Sequence, residues 1–334
     1  MRFLFELSKE HETIPKAEVL SCLKAEKIHY ELIDSNENVV IIDTVYEKKI
    51  ESLADRLSYT FHIDKFLFSS STDIKDVKNH SLNNCIKEKG SIAIKYKNRS
   101  KNIDSREIVK ILATTYTKNR EVTLEKPEIE VRALITDSTV YVGLKLFEMN
   151  RSQFEERKVQ FRPFFSPISL HPKLARALVN LTSVKKNETL LDPFCGTGGI
   201  LLEAGLIGVR VFGSDIESKM IEGCKKTLDH YKIRDYRLFC SDIGDINKFV
   251  DSVDAVVTDL PYGKSTTTKG EEMKKLYSRA FENISKILNK NGKAVIGISD
   301  KDFISLASEY FSLVEVHEFR AHRSLTRYFV VFIK

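Results

Sequence analysis

The chain has 334 residues, 42% hydrophobic and 30% charged, with a formal net charge of +6 and a pI near 8.8. That length points to two packed domains, and the composition excludes a disordered chain. No apolar run is long enough to span a bilayer, because the richest stretch, residues 190–212, is broken by Asp192, Glu203 and Arg210. The N-terminal MRFLFELSKE has too short an apolar core for a signal peptide, so a cytoplasmic location is expected. Five scattered cysteines (Cys22, Cys85, Cys195, Cys224 and Cys240) form no CxxC pair and no zinc-spaced cluster. A reduced protein without a structural metal is expected. Mild basicity permits a polyanionic partner without specifying one.

In chain order, residues 2–7 alternate like a strand, and residues 14–27, with Pro15 at the start, have helical spacing. A strand at 39–42 and a helix at 50–57 follow. Residues 92–96 read as a strand and 105–116 as a helix capped by Asp104 or Ser105. Residues 129–135 and 140–146 flank a turn as a hairpin. This half is α+β, carries many lysines and has no convergent acid or nucleophile. Residues 151–165 are highly charged and aperiodic and read as a linker.

The second half is regular. Helices are expected at 172–182, 200–208, 219–231, 246–250, 271–288 and 301–311. Strands are expected at 188–192, 209–214, 237–240, 254–258 and 293–298, with a final pair at the C-terminus. Such alternation predicts an open, mostly parallel sheet with helices on both faces. Ligands bind such sheets at the carboxyl ends of the strands.

Those ends carry chemistry. After the first of these strands comes DPFCGTGG, residues 192–199, whose glycines let backbone approach a ligand at a helix N-terminus. Asp215 ends the second strand and suits a pair of ribose hydroxyls. Asp242 follows the third, where a side chain can meet an adenine edge, and Asp259 follows the fourth. One such acid is most simply a helix cap; four in succession point to a nucleoside site. Gly196 and Gly198 fit the first two positions of a dinucleotide fingerprint, but Leu201 occupies the third, and no P-loop is present. A ligand without pyrophosphate, such as S-adenosylmethionine, fits better than a nicotinamide dinucleotide.

With DPFCGTGG, Asp215, Asp242 and the tetrad DLPY, the chain resembles S-adenosylmethionine-dependent methyltransferases acting on exocyclic amino groups. The segments FSPISLHPKLARALVNL, TDLPYGKST and HRSLTRY are similar, more narrowly, to archaeal-type tRNA (guanine-10, N2)-methyltransferases with an N-terminal THUMP region. The resemblance covers nearly the whole chain and is stronger in its second half. It implies a Rossmann-like methyltransferase domain over 166–334. Before it come an α+β, ferredoxin-like part (1–50), a THUMP RNA-binding domain (51–150) and the linker (151–165). It also implies cofactor contacts at His171, Asp192, Pro193, Gly196, Thr197, Gly198, Asp215, Ile216, Asp242 and Ile243. The implied partner is tRNA, with no metal and no membrane. Methylation of ribosomal RNA guanine or DNA adenine, or RNA binding without catalysis, are the alternatives.

The tetrad suits an amino nitrogen whose lone pair is delocalised into a ring. Asp259 and the carbonyl of Leu260 offer acceptors for its two hydrogens. Pro261 holds the preceding residue extended, and Tyr262 offers a stacking face. Expected RNA contacts are Lys95, Lys97, Arg99 and Lys101 in the first half and Arg320, Arg323 and Arg327 near the C-terminus. Either basic run alone also fits a solvated surface.

Overall fold

The computed structural model describes residues 1–166, 169–262, 272–322 and 325–334, the last two without the side chains of 321–325. The chain forms two compact units. The first comprises Met1–Ser8, His29–Ala54 and Thr60–Met149, and the second Lys9–Ile28, Asp55–Tyr59 and Asn150–Lys334. In chain order the N-terminal elements are β1 (Arg2–Leu7), α1 (Ile14–Ala25), β2 (Glu31–Ser35), β3 (Val39–Asp43), α2 (Glu51–Ala54) and β4 (Thr60–Ser71). Then come α3 (Ile74–Asn83), β5 (Ile92–Asn98), α4 (Ser105–Tyr116), β6 (Ile129–Ile135) and β7 (Thr139–Glu148).

All seven of these strands form one sheet, in the order β2-β3-β1-β4-β7-β6-β5. The sheet runs through the boundary expected at residue 50, because β1 pairs with both β3 and β4. Helices α3 and α4 start on side-chain caps: Asp73 accepts from the Lys75 and Asp76 amides at 2.8 and 3.2 Å, and Asp104 from the Arg106 amide at 3.0 Å. Val77, Ile108, Leu112 and Tyr116 then pack on Val131, Val140 and Val142. Strand β4 and helix α3 have no counterpart in the sequence reading. His62, Asp64 and Lys65 disguise the strand, and Asp64 is buried beside Arg132 at 3.3 Å.

The second unit takes in α1 and then α5 (Ser152–Glu156), α6 (Pro172–Leu181), β8 (Thr189–Asp192), α7 (Gly199–Leu206), β9 (Arg210–Asp215), α8 (Ser218–His230) and β10 (Tyr236–Cys240). It continues with β11 (Val253–Asp259), α9 (Met273–Ile287), β12 (Leu288–Ile298), α10 (Asp302–Ala307), β13 (Ser312–His322) and β14 (Leu325–Ile333). Its sheet order is β10-β9-β8-β11-β12-β14-β13, parallel from β10 to β12 and antiparallel through β14 and β13. The pleat divides the central strands between two cores. Ala255, Val257, Val295, Phe329 and Val331 face the side of α6, α7 and α8, while Val256, Ala294, Ile296, Val330 and Phe332 face α9 and α10. The helix expected at 246–250 is instead a 3-10 turn over Ile243–Lys248.

Residues 151–165 are structured parts of this second unit. Phe154 is fully buried, and Arg157 and Arg176 converge on the buried Glu203 at 2.8 and 2.9 Å. Residues 9–28 also belong here: Glu18 of α1 accepts from the amides of Ser58 and Tyr59 at 3.0 and 2.8 Å, and from Asn180 of α6 at 2.8 Å.

Candidate active site

Strands β8, β9 and β11 end on Asp192, Asp215 and Asp259, and Asp242 lies two residues beyond β10. All four face a cavity of about 840 Å³ in the second unit. Its wall also takes in His171, Pro193, Gly196, Thr197, Ile216 and Ile243, together with Leu260, Pro261 and Tyr262. Among the expected cofactor residues, Gly198 lies off the wall. It is the left-handed cap of α7, with φ +81°, and a Cβ there would meet Cys224 Sγ at 2.6 Å.

Backbone N–H groups fix Asp215. Gly196 donates to Oδ2 at 3.0 Å and Glu217 to Oδ1 at 2.9 Å. Burial raises its carboxyl, and these amides oppose the rise. The turn is also held by the Cys195 amide on the Ser214 carbonyl at 2.9 Å. Asp192 plays a different part. It is buried and accepts from Thr258 Oγ1 at 2.7 Å and from the Phe194 amide at 3.1 Å, tying the glycine turn to β11. Burial pushes its carboxyl up to about 7, with the Thr258 and Phe194 bonds opposing. Asp242 accepts from the Gly244 amide at 2.8 Å and from Arg279 at 2.6 and 3.2 Å. The Arg279 guanidinium holds this carboxyl low against burial. Arg279 escaped the sequence reading because it lies on α9, 37 residues away.

The acceptors around this cavity fit S-adenosylmethionine. Asp215 suits vicinal hydroxyls, Asp242 an amino edge, and Ile216 and Ile243 give apolar walls for a flat base.

In the tetrad, the Leu260 amide donates to the Gly297 carbonyl at 3.0 Å, and Tyr277 Oη donates to the Pro261 carbonyl at 3.0 Å. These bonds fix the tetrad backbone. Arg327 of β14 is buried here. Its Nη2 donates both to Asp259 Oδ1 and, at 3.2 Å, to the Leu260 carbonyl, and its guanidinium lies 3.8 Å over the Tyr262 ring. Burial raises the Asp259 carboxyl to about 6, and Arg327 pulls the other way. Gly297 of β12 makes room for this group: a Cβ there would collide with Asp259 Oδ1 and meet Phe329 Cε1 at 2.9 Å.

The expected RNA contacts divide. Lys101 and Arg320 are exposed. Arg99 and Arg327 are not the surface cations that a basic run suggests. Arg99 is partly buried and donates to Glu6 at 2.9 Å, the Leu7 carbonyl at 2.7 Å and Asn38 at 2.9 Å. Lys95 pairs with Glu130 at 2.8 Å, and Lys97 with Glu6 at 3.5 Å. A signal for Arg327 was present: in a strand it shares a face with Phe329 and Val331, two core residues. Arg323, like residues 263–271 after the tetrad, lies outside the described residues.

The chain is similar to known methyltransferases. The family UPF0020, RMKL-like, methyltransferase domain, matches residues 160–328. The chain is 36% identical over 330 residues to a tRNA (guanine(10)-N2)-dimethyltransferase of Methanothermobacter thermautotrophicus, covering 98% of each chain. It is 31% identical over 368 residues to an enzyme of the same name from Methanocaldococcus jannaschii, covering 99% of each. Among solved structures, TrmN from Thermus thermophilus is similar with a TM-score of 0.57 at 18% identity, covering 100% of both chains, and supports the fold.

Proposed function

We propose, from the premise that the chain belongs to the tRNA (guanine(10)-N2)-dimethyltransferase family, that it transfers methyl groups from S-adenosylmethionine to the exocyclic N2 of guanine 10 in tRNA. One observation carries this reading. The Asp259 carboxylate and the Leu260 carbonyl converge on a single point beside the Tyr262 ring, in the cavity that Asp215 also lines.

The cofactor, when bound, supplies a methyl group on a good leaving group. Asp215 and Asp242 hold its nucleoside, and the glycine turn lets backbone approach it. Asp259 and the Leu260 carbonyl accept the two amino hydrogens of the guanine. Two acceptors draw the nitrogen away from planarity and toward nucleophilic geometry. Tyr262 stacks on the base and sets the line of approach, and alignment accounts for much of the rate. After transfer the nitrogen carries an extra proton, which the Asp259 carboxylate, its pKa raised by burial, can take.

A guanine within a folded stem must leave its stack, at a cost of a few kcal/mol. Contacts elsewhere on the RNA offset that cost. The first unit is our candidate for them, as a THUMP-like docking region with Lys101 and its neighbours on phosphates. Among the described residues no cluster suits a metal and no helix is long and apolar enough to cross a membrane. A cytoplasmic site of action is proposed with the substrate. The test is mass analysis of nucleosides from unmodified tRNA incubated with the protein and labelled S-adenosylmethionine. Label in N2-methylguanosine or N2,N2-dimethylguanosine at position 10 is expected. Label in adenine, or none, overturns the reading.

A further inference from the structure

Arg327 sits where the reacting amino group belongs. The two acceptors assigned to the guanine amino hydrogens are both taken by one nitrogen, Arg327 Nη2. The plane assigned to base stacking is covered by the same guanidinium, 3.8 Å over Tyr262. A guanidinium is three nitrogens on one planar carbon, and so is the edge of guanine formed by N1, C2, N2 and N3. The two groups present the same amino hydrogens in the same plane.

The way Arg327 is held matters as much as its place. Arg56, a buried arginine of the same unit, spends Nε, Nη1 and Nη2 on Asn180, Glu26 and the Val184 carbonyl. Arg157 and Arg176 are both fixed on Glu203, and of their nitrogens only Arg176 Nε lacks a partner among the described residues. Arg327 is buried, yet its Nε and Nη1 have no hydrogen-bond partner among the described residues. Buried unpaired donors are costly. Among the described residues this side chain is held through Nη2 and the Tyr262 face, the two features a guanine would use.

We propose that Arg327 is an internal stand-in for the guanine amino edge. It holds Asp259 and the Leu260 carbonyl in their receiving geometry and is displaced when the base enters. The inference rests on the amino-transfer reading of this site and adds a specificity device to it. A base lacking the guanidine pattern does not reproduce the contacts that Arg327 gives up.

The test is Arg327→Ala, with Arg327→Gln as a second variant if alanine does not fold. Unchanged S-adenosylmethionine affinity certifies the fold of either. Calorimetry with millimolar guanidinium chloride, against sodium chloride and without tRNA, is expected to show binding to the variant about tenfold or more tighter than to the unaltered protein. In methylation assays guanidinium is expected to inhibit the variant competitively with tRNA. Absence of guanidinium binding overturns the stand-in. So does guanidinium restoring turnover to an impaired variant, which would make Arg327 a positive charge needed for reaction. The calorimetric arm reads this proposal even if tRNA is not the substrate, so the two failures are distinguishable.

Discussion

Asp215 receives two backbone N–H groups and still faces the cavity, so its remaining lone pairs are aimed. Asp215→Ala is expected to weaken S-adenosylmethionine binding by about 1.5–3 kcal/mol, the range for hydrogen bonds to a charged group. Calorimetry on the folded variant checks it. Asp259 has a different task. Asp259→Ala is expected to keep cofactor affinity and lose about a hundredfold or more of turnover. Only the ionised carboxylate accepts a proton, and burial raises its pKa to about 6. Displacement of Arg327 by the base removes a pull that lowers this pKa, so the single-turnover rate should rise with pH above about 6 and then level, and Asp259→Asn should abolish that rise. The acids were legible in the sequence because a strand end exposes its last side chain to the ligand edge. The pairing of Arg279 and Arg327 with these acids was not, since the partners lie 37 and 68 residues apart in the chain.

At the scale of elements, β12 brings Gly297 beside Asp259 in parallel register and beside Phe329 in antiparallel register. Gly297→Ala places a methyl against the carboxylate and the Phe329 ring. An overpacking cost of about 1–3 kcal/mol is expected, with turnover falling more than cofactor affinity. Denaturant unfolding and single-turnover rates separate the two effects. In the first unit, Glu6 of β1 is buried among Arg132, Arg99 and His62. Burial acts to raise its carboxyl, but His62, Arg132 and Arg99 outweigh burial and hold it at about 2. A depressed carboxyl pKa stabilises the fold above the ordinary value of 4.5 and loses that contribution as pH falls toward 2. Glu6→Gln is expected to cost roughly 3–5 kcal/mol near neutral pH, because the partly buried Arg99 and Arg132 lose their charged partner. The cost should shrink as pH falls from 4.5 toward 2, followed by denaturant unfolding across that range. The regular second half was readable element by element because period and turn chemistry agree there. Strand β4 was not, since its polar residues find buried partners only in the sheet.

For the whole molecule, the division between units is not a single cut. A chain beginning at 151 would lack α1, whose Ile14 and Ala17 lie in the core with Leu174 and Leu178 and whose Glu18 joins Ser58, Tyr59 and Asn180. The docking role proposed for the first unit is better tested in the full chain. Lys101→Glu is expected to weaken tRNA binding and reduce the log–log salt slope by roughly 0.7–0.9, with cofactor affinity unchanged. An unaltered slope would count against phosphate contact there. Sequence periodicity separated the two halves but not their interleaving, because helix α1 reads the same whichever core it joins.

That interleaving also sets a schedule for biosynthesis. Helix α1 leaves the ribosome early, while α6, which packs beside it, begins only at Pro172. At ~5–20 residues per second, the intervening stretch takes roughly 7–30 s to make. Throughout that interval Ile14 and Ala17 lack Leu174 and Leu178 of α6, with which they share a core. Nascent chains stalled near residue 150 are expected to crosslink to chaperones through residues 14–25, and chains stalled well past α6 are not.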